Sequence, residues 1–371
     1  MGDDQMKTKR VLISALEAGM ISAEDVYTLN DQLVIQKGTK LTERIIARLR
    51  FYSVSSIRIS LEPEPGQDDL ADSLPQTDLS SGYRAQVMST PEFKQFQSSY
   101  STSTQKLSDT LNHIVSSHSF VTEAELLGPL SETLSQVRTV NNLFDILHCM
   151  RDSDDMTYVH SLNVALISIS LARWSGMSES DITVLAAAAL LHDIGKLLVP
   201  KEILEKPGSL TSGEYAVVQT HALLGYNLLK DMNIDDRIKR TVLMHHERCD
   251  GSGYPIGMSG NQIDDFAKIV AIADVYDAMS SKRHYRDQIC PFSIIRLFEA
   301  EGLQKYDPGY ILTFLQGIAE TYLHNNVLLS DGTTGEIIMI NKTDLSRPIV
   351  KRENDYVDLS HQRDLSIQSI L

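Results

Sequence analysis

The chain has only three cysteines, Cys149, Cys249 and Cys290, and none stands in a CxxC pair. An odd, scattered set argues against a disulfide framework and for a reducing compartment. Aromatics are sparse at 6%. Basic residues are outnumbered, with 34 Lys plus Arg against 49 Asp plus Glu, so the net charge is −15. Such a surface is a poor match for a DNA or RNA polymer or an anionic membrane. A small phosphate ligand is still compatible, if metals and a few arginines gather positive charge in one cleft. No apolar run approaches the roughly 20 residues that span a bilayer. The opening Met1-Gly2-Asp3-Asp4 carries no apolar leader. The expectation is a cytoplasmic protein without a membrane span.

What is present is ordinary for a globular chain: 371 residues, 42% hydrophobic and 22% charged. The length allows two or three domains, one with a large core. Residues 1–61 read as a small α+β module. Strand-like runs at 24–28 and 32–36 flank the turn signal Asn30-Asp31, a helix spans 42–52, and a last strand spans 54–59. Residues 62–90, rich in Pro, Gly, Ser and Asp, read as a flexible linker. A helical lead-in follows over 91–150, with helices at 92–116 and 122–149 and a break or kink expected at Gly128-Pro129. Residues 151–324 read as an all-α bundle with helices near 155–175, 179–192, 212–231, 234–246 and 264–280. Thr211 and Glu214 have capping-box spacing. Residues 325–371 read as a small β-rich module with a hairpin about Asp331-Gly332 and short strands near 347–350 and 356–359. The fold class expected is mainly α.

The centre of the bundle carries His192-Asp193-Ile194-Gly195-Lys196, directly after the apolar run 185–191. An imidazole and a carboxylate at the end of a buried helix are costly unless satisfied. A divalent metal would satisfy them, but alone the pair is more often a hydrogen-bonded structural feature. The same holds singly for His160, which shares a helix face with Val164 and Ile167, and for His221, on the side of Val218 and Leu224. Two consecutive histidines, His245-His246, are harder to dismiss. So is Asp274 inside Ile269-Val270-Ala271-Ile272-Ala273-Asp274-Val275-Tyr276. One shared metal site accounts for all of them together, where separate structural reasons would be needed otherwise.

His192-Asp193 and the loop Asp250-Gly251-Ser252-Gly253-Tyr254-Pro255, with His160, His221, His245-His246 and Asp274 in this order, resemble the HD-GYP family. These are cyclic di-GMP phosphodiesterases within the HD metallophosphohydrolase superfamily. The resemblance covers roughly residues 150–320 and implies a bound pair of Fe or Mn ions. His160, His192, Asp193 and Asp274 would hold one, with Asp193 bridging to a second held by His221, His245 and His246. The cations would lower the pKa of water and stabilise the attacking and leaving oxygens of an in-line displacement. Asp193 and Lys196 would serve the chemistry. Lys196, four residues after His192, would face the scissile phosphate on a continuing helical turn. Arg283 and Arg286 match phosphate-contacting positions, although Lys282 and His284 stand where the family more often has Asp and Pro. Tyr254 would shape the site edge or contact the ligand or a partner. Trinuclear members carry a Glu four residues before the first His. Met156 stands there, and Asp155 is rotated by about 100° on a helix, so the implication is two metals and a linear dinucleotide, pGpG, as main product. Beyond the ligand, the flanking modules leave room for a homodimer contact or a signalling-protein partner. A non-catalytic cyclic di-GMP sensor is the alternative function, and the complete ligand set favours the enzyme.

Overall fold

The computed structural model describes residues 8–60 in part, 87–136, 143–147 in part, 156–281 except 207 and 209, and 289–371. The chain divides into two units, residues 1–77 and 78–371.

In the first unit, strands β1 (Thr8–Leu12), β2 (Ile21–Ser22) and β5 (Ser56–Ser60) form an antiparallel sheet in the order β1-β5-β2. β3 (Val26–Tyr27) and β4 (Leu33–Ile35) pair antiparallel, and the expected turn at Asn30-Asp31 lies outside the described residues. Leu16, Val26, Ile35, Leu41, Ile46, Leu49, Ile57 and Ile59 make its core. The alternation in Ile57-Arg58-Ile59 buries the isoleucines and exposes the arginine, as a half-buried strand requires. The first two strands have no clear alternating pattern, which is why sequence reading passed over them.

The second unit begins with α1 (Pro91–Ser117) and α2 (Glu123–Leu134). Thr90 caps α1 by accepting from Phe93 N–H, and Pro91 occupies the first turn, where its missing donor costs nothing. Phe93, Phe96, Tyr100, Leu107, Leu111 and Ile114 recur at helical spacing and are buried. Thr122 and Glu125 form a reciprocal capping box on α2. Of the break or kink expected at Gly128-Pro129, the break is absent: α2 runs continuously through both residues. Burial of Leu126, Pro129 and Leu130 holds the turn, and Ser103 and Thr133 both donate to the Pro129 carbonyl. Of the rest of the 122–149 stretch, Leu143, Phe144, Ile146 and Leu147 are helical and buried, and 137–142 lie outside the described residues.

Helices α3 (Met156–Trp174), α4 (Glu179–Leu191), α5 (Lys201–Leu204), α6 (Ser212–Gln219), α7 (His221–Leu229), α8 (Asp236–Met244), α9 (Asp265–Ser280), α10 (Pro291–Lys305) and α11 (Pro308–Thr321) complete the bundle. α3 packs chiefly on α4 and α9. Two differences from the sequence reading bear on the site. The helix expected over 212–231 is two helices meeting at Thr220, so His221 opens α7 instead of lying mid-helix. α4 stops at Leu191, and residues Ile194–Leu198 form a tighter three-residue-per-turn helix. Gly195 explains both. A Cβ there would overlap the His221 carbonyl, so only glycine lets this turn lie on the backbone of α7.

After α11, strands β6 (Asn326–Leu329), β7 (Thr334–Met339), β8 (Ile349–Lys351), β9 (Tyr356–Asp358) and β10 (Ile367–Ile370) form an antiparallel sheet in the order β10-β6-β7-β8-β9. β10 was not expected from the sequence; it closes the edge beside β6. Val327, Leu329, Ile337, Val350 and Ile367 belong to the same hydrophobic core as the helices. No described helix is long and apolar enough to cross a membrane.

Candidate metal centre

The ends of α3, α4, α7, α8 and α9 converge on one buried cluster. His192 caps α4 and its ring is fully buried. It donates from Nδ1 to the Ala189 carbonyl at 2.7 Å. His221 and His245 use the same device, with Nδ1 set on the Val218 carbonyl at 2.7 Å and on the Val242 carbonyl at 2.9 Å. A histidine at a helix terminus reaches back to a carbonyl of the adjoining turn, and that bond fixes the tautomer. Each Nε2 is thereby left without its proton and aimed inward.

The inward atoms crowd one carboxylate. Asp193 lies with Oδ1 3.2 Å from His221 Nε2 and 3.7 Å from His245 Nε2. Its Oδ2 lies 3.3 Å from His192 Nε2 and 3.7 Å from His160 Nε2. His221 and His245 bring their Nε2 atoms to 3.2 Å of each other. His192 Nε2 and Asp193 Oδ1 are buried with no protein hydrogen-bond partner. Buried polar atoms are normally satisfied, and leaving two acceptors of one cluster bare is costly. A cation between them removes both penalties, so this donor set fits metal.

The ligand atoms fall into two groups, each within 4.8 Å: Asp193, His221, His245 and His246, and His160, His192 and Asp274. All seven expected metal residues are brought together, with Asp193 between the groups. His160 faces Asp274 Oδ1 at 3.0 Å, and His246 Nδ1 stands 3.7 Å from Asp274 Oδ2. Lys196 donates to Asp193 Oδ2 at 2.5 Å. It gets there by the three-residue turn after Asp193, not by the continued α-helix that sequence reading assumed.

The electrostatics divide along the same line. Burial lowers the His245 pKa to about 4 and drives that of His246 well below the usual histidine range. Burial also opposes charge on His160, but the carboxylates of Asp274 and Asp277 outweigh it and raise its pKa to about 9. Burial disfavours the charge of Asp193 too, yet Lys196 and His192 hold its pKa well below the carboxylate range. His160 and His192 do the same for Asp274, although the former is the stronger.

Tyr254 stacks on His246 with ring centroids 4.6 Å apart and planes 27° from parallel. Its loop is held by a residue that sequence reading passed over, Glu247. This buried carboxylate accepts from the N–H groups of Ile256, Gly257 and Met258. Gly253 is required where the loop folds back, because a Cβ there would strike the backbone of Glu247 and Arg248. Asp277 was also missed. It accepts from His160 Nδ1 at 2.8 Å and from Asn163 Nδ2 at 2.9 Å. Its signal was available, as a second carboxylate three residues after Asp274 on one face of an apolar helix. Arg283 and Arg286 lie outside the described residues, as do Lys282, His284, Asp155 and the side chain of Met156.

The chain is thus a helical bundle with a buried imidazole–carboxylate cluster that could hold metal. Residues 148–309 match the family model described as HD domain. The resemblance read from the motifs is borne out at that level. The chain is 35% identical to a cyclic di-GMP phosphodiesterase of Pseudomonas aeruginosa over 218 residues, 58% of this chain and 52% of the relative. It is 37% identical to a cyclic di-GMP phosphodiesterase of Thermotoga maritima over 177 residues, 47% of this chain and 48% of the relative. It is 42% identical to a 3′3′-cGAMP-specific phosphodiesterase of Vibrio cholerae over 127 residues, 34% of this chain and 28% of the relative. The chain thus spans about half the length, or less, of these relatives.

Proposed function

We propose that the chain is a metal-dependent phosphodiesterase that opens cyclic di-GMP at a 3′–5′ phosphodiester bond to give linear pGpG. The observation that carries this reading is the pair of ligand groups joined by Asp193, with His192 Nε2 and Asp193 Oδ1 buried and unpartnered. His160, His192, Asp193 and Asp274 would hold one ion, and Asp193, His221, His245 and His246 the other. Mixed imidazole and carboxylate donors suit Fe or Mn. When bound, such ions activate water and stabilise the oxygens entering and leaving phosphorus.

The chain's own residues do the rest. Asp193 keeps the two groups in one register. The carbonyls of Ala189, Val218 and Val242 hold three imidazoles in the tautomer that presents Nε2. Lys196, about a quarter exposed, keeps a positive charge at the site's rim for a phosphate oxygen. Arg283 and Arg286 would add guanidinium contacts to phosphate, as the resemblance implies. Tyr254, stacked on His246, forms one wall. Met156, at the place of a third-metal ligand, keeps the count at two. Residues 151–324 are proposed as the catalytic bundle. The modules at 1–61, 91–150 and 325–371, with a linker at 62–90, would carry partner or homodimer contacts. A cytoplasmic location would go with that substrate.

The relative acting on 3′3′-cGAMP gives weight to a second reading in which the mixed cyclic dinucleotide is cleaved. Metal-reconstituted protein incubated with each dinucleotide decides. Faster conversion of cyclic di-GMP to pGpG is expected. Turnover of only the mixed ligand would select the second reading, and tight binding with no turnover of either would indicate a sensor.

A further inference from the structure

The helical lead-in packs on the bundle, and one of its residues points at the metal cluster. Tyr100, in α1, is buried and donates its hydroxyl to Asn163 Oδ1 at 2.5 Å. Asn163, one turn after His160 on α3, donates from Nδ2 to Asp277 Oδ1 at 2.9 Å. Asp277 accepts from His160 Nδ1 through its other oxygen at 2.8 Å. Ser281 Oγ, at 3.3 Å, adds a weaker donor to Asp277 Oδ1. The Tyr100 hydroxyl also lies 3.3 Å from the Val159 carbonyl, and Asn163 Oδ1 is its nearer acceptor. A tyrosine hydroxyl donating to the amide oxygen leaves the amide nitrogen for the carboxylate, and the carboxylate then takes the Nδ1 proton of the imidazole.

His160 differs from His192, His221 and His245, whose Nδ1 atoms sit on backbone carbonyls of their own chain segment. Its orientation instead depends on three side chains from α1, α3 and α9. We propose that Tyr100 is a positioning residue for His160, so that the lead-in helix α1 is a working part of the metal centre. With Tyr100 in place, Asn163 cannot turn its amide oxygen toward Asp277, where it would repel. Asp277 then stays aimed at Nδ1, and Nε2 stays free for the ion. This rests on the metal-binding reading above. α1 also contacts the Ile194–Leu198 turn that carries Lys196, which strengthens its tie to the site.

The test is manganese(II) titration of the full chain, with free ion followed by electron paramagnetic resonance. Tyr100→Phe removes one oxygen and keeps the ring in its pocket. About tenfold weaker binding of one ion is expected, with the other unchanged, in keeping with the 10–100-fold cost of losing an outer partner. Asn163→Ala, which cuts the chain of bonds at its middle, should give the same selective loss. Tyr158→Phe is the control: it removes another interhelical bond from α1, Asn112 Nδ2 to the Tyr158 hydroxyl, which lies outside the relay. It should leave both affinities at the wild-type value. Wild-type affinity at both sites in Tyr100→Phe, or equal weakening at both, would overturn the proposal. In metal-free protein, histidine-selective NMR should show faster exchange of the His160 Nδ1 proton in Tyr100→Phe, and an unchanged rate would also overturn it. That arm reads the relay even where the wild type binds no manganese, an outcome that would sink the metal-binding reading instead.

Discussion

The two halves of the cluster are built from the same residue types and held in different ways. His221 and His245 are fully buried and anchored to backbone carbonyls, and burial lowers the His245 pKa to about 4. His160 is anchored by a carboxylate and held by charge. Backbone anchoring gives a half that is neutral and ready for an ion without rearrangement. Carboxylate anchoring gives a half that holds a proton in the ion's place and must release it. The difference follows from where each histidine lies: three sit at helix ends beside carbonyls of the last turn, while His160 sits inside α3 with its carbonyls already used.

The strongest way to break the comparison is to remove what the halves share. Asp193→Asn should abolish tight binding at both, with activity falling by more than about 100-fold, beyond the cost of losing any outer partner. Retention of one tight ion would show that the halves are independent. Asp277→Ala touches only the carboxylate-anchored half. It should weaken one ion by about 10–100-fold and leave the other within error in the same titration.

The pH dependence should separate the halves more gently. His160 has its pKa raised to about 9, so below that pH the metal-free site carries a proton that an ion must displace. Affinity at this half should rise by up to about tenfold per pH unit from pH 7 and level off near 9. His245, with its pKa lowered to about 4, holds no proton in that range, and the other half should stay flat. Calorimetry in buffers of different ionisation enthalpy would read about one proton released for the first half. Equal proton release at both would remove the distinction. The smallest effect concerns the loop beside the neutral half. Glu247→Ala strands three backbone donors and should cost about 1–3 kcal/mol of stability, read as a lower melting temperature with both ions still bound.

Much of this was legible beforehand because the ligands lie in long apolar helices, where a polar residue has few explanations. The helical bundle, the seven converging residues and the capping box at Thr211 all followed from periodicity, local spacing and the motif resemblance. What was not legible depended on contacts between elements. Gly195 lying on the His221 carbonyl splits one expected helix and tightens the turn bearing Lys196, and no local pattern encodes that approach. Pro129 stays inside α2 because burial against its neighbours outweighs a missing donor. Asp277 and Tyr100 matter only through partners 114 and 63 residues away in sequence. β10 is too short to show alternation and is specified by the strand it pairs with.

The central claim is that one carboxylate joins two, and only two, metal positions. Metal content per chain after anaerobic purification tests it most directly. About two ions of Fe or Mn per chain are expected, falling together in Asp193→Asn. Three ions per chain, or a single ion that survives Asp193→Asn, would contradict it.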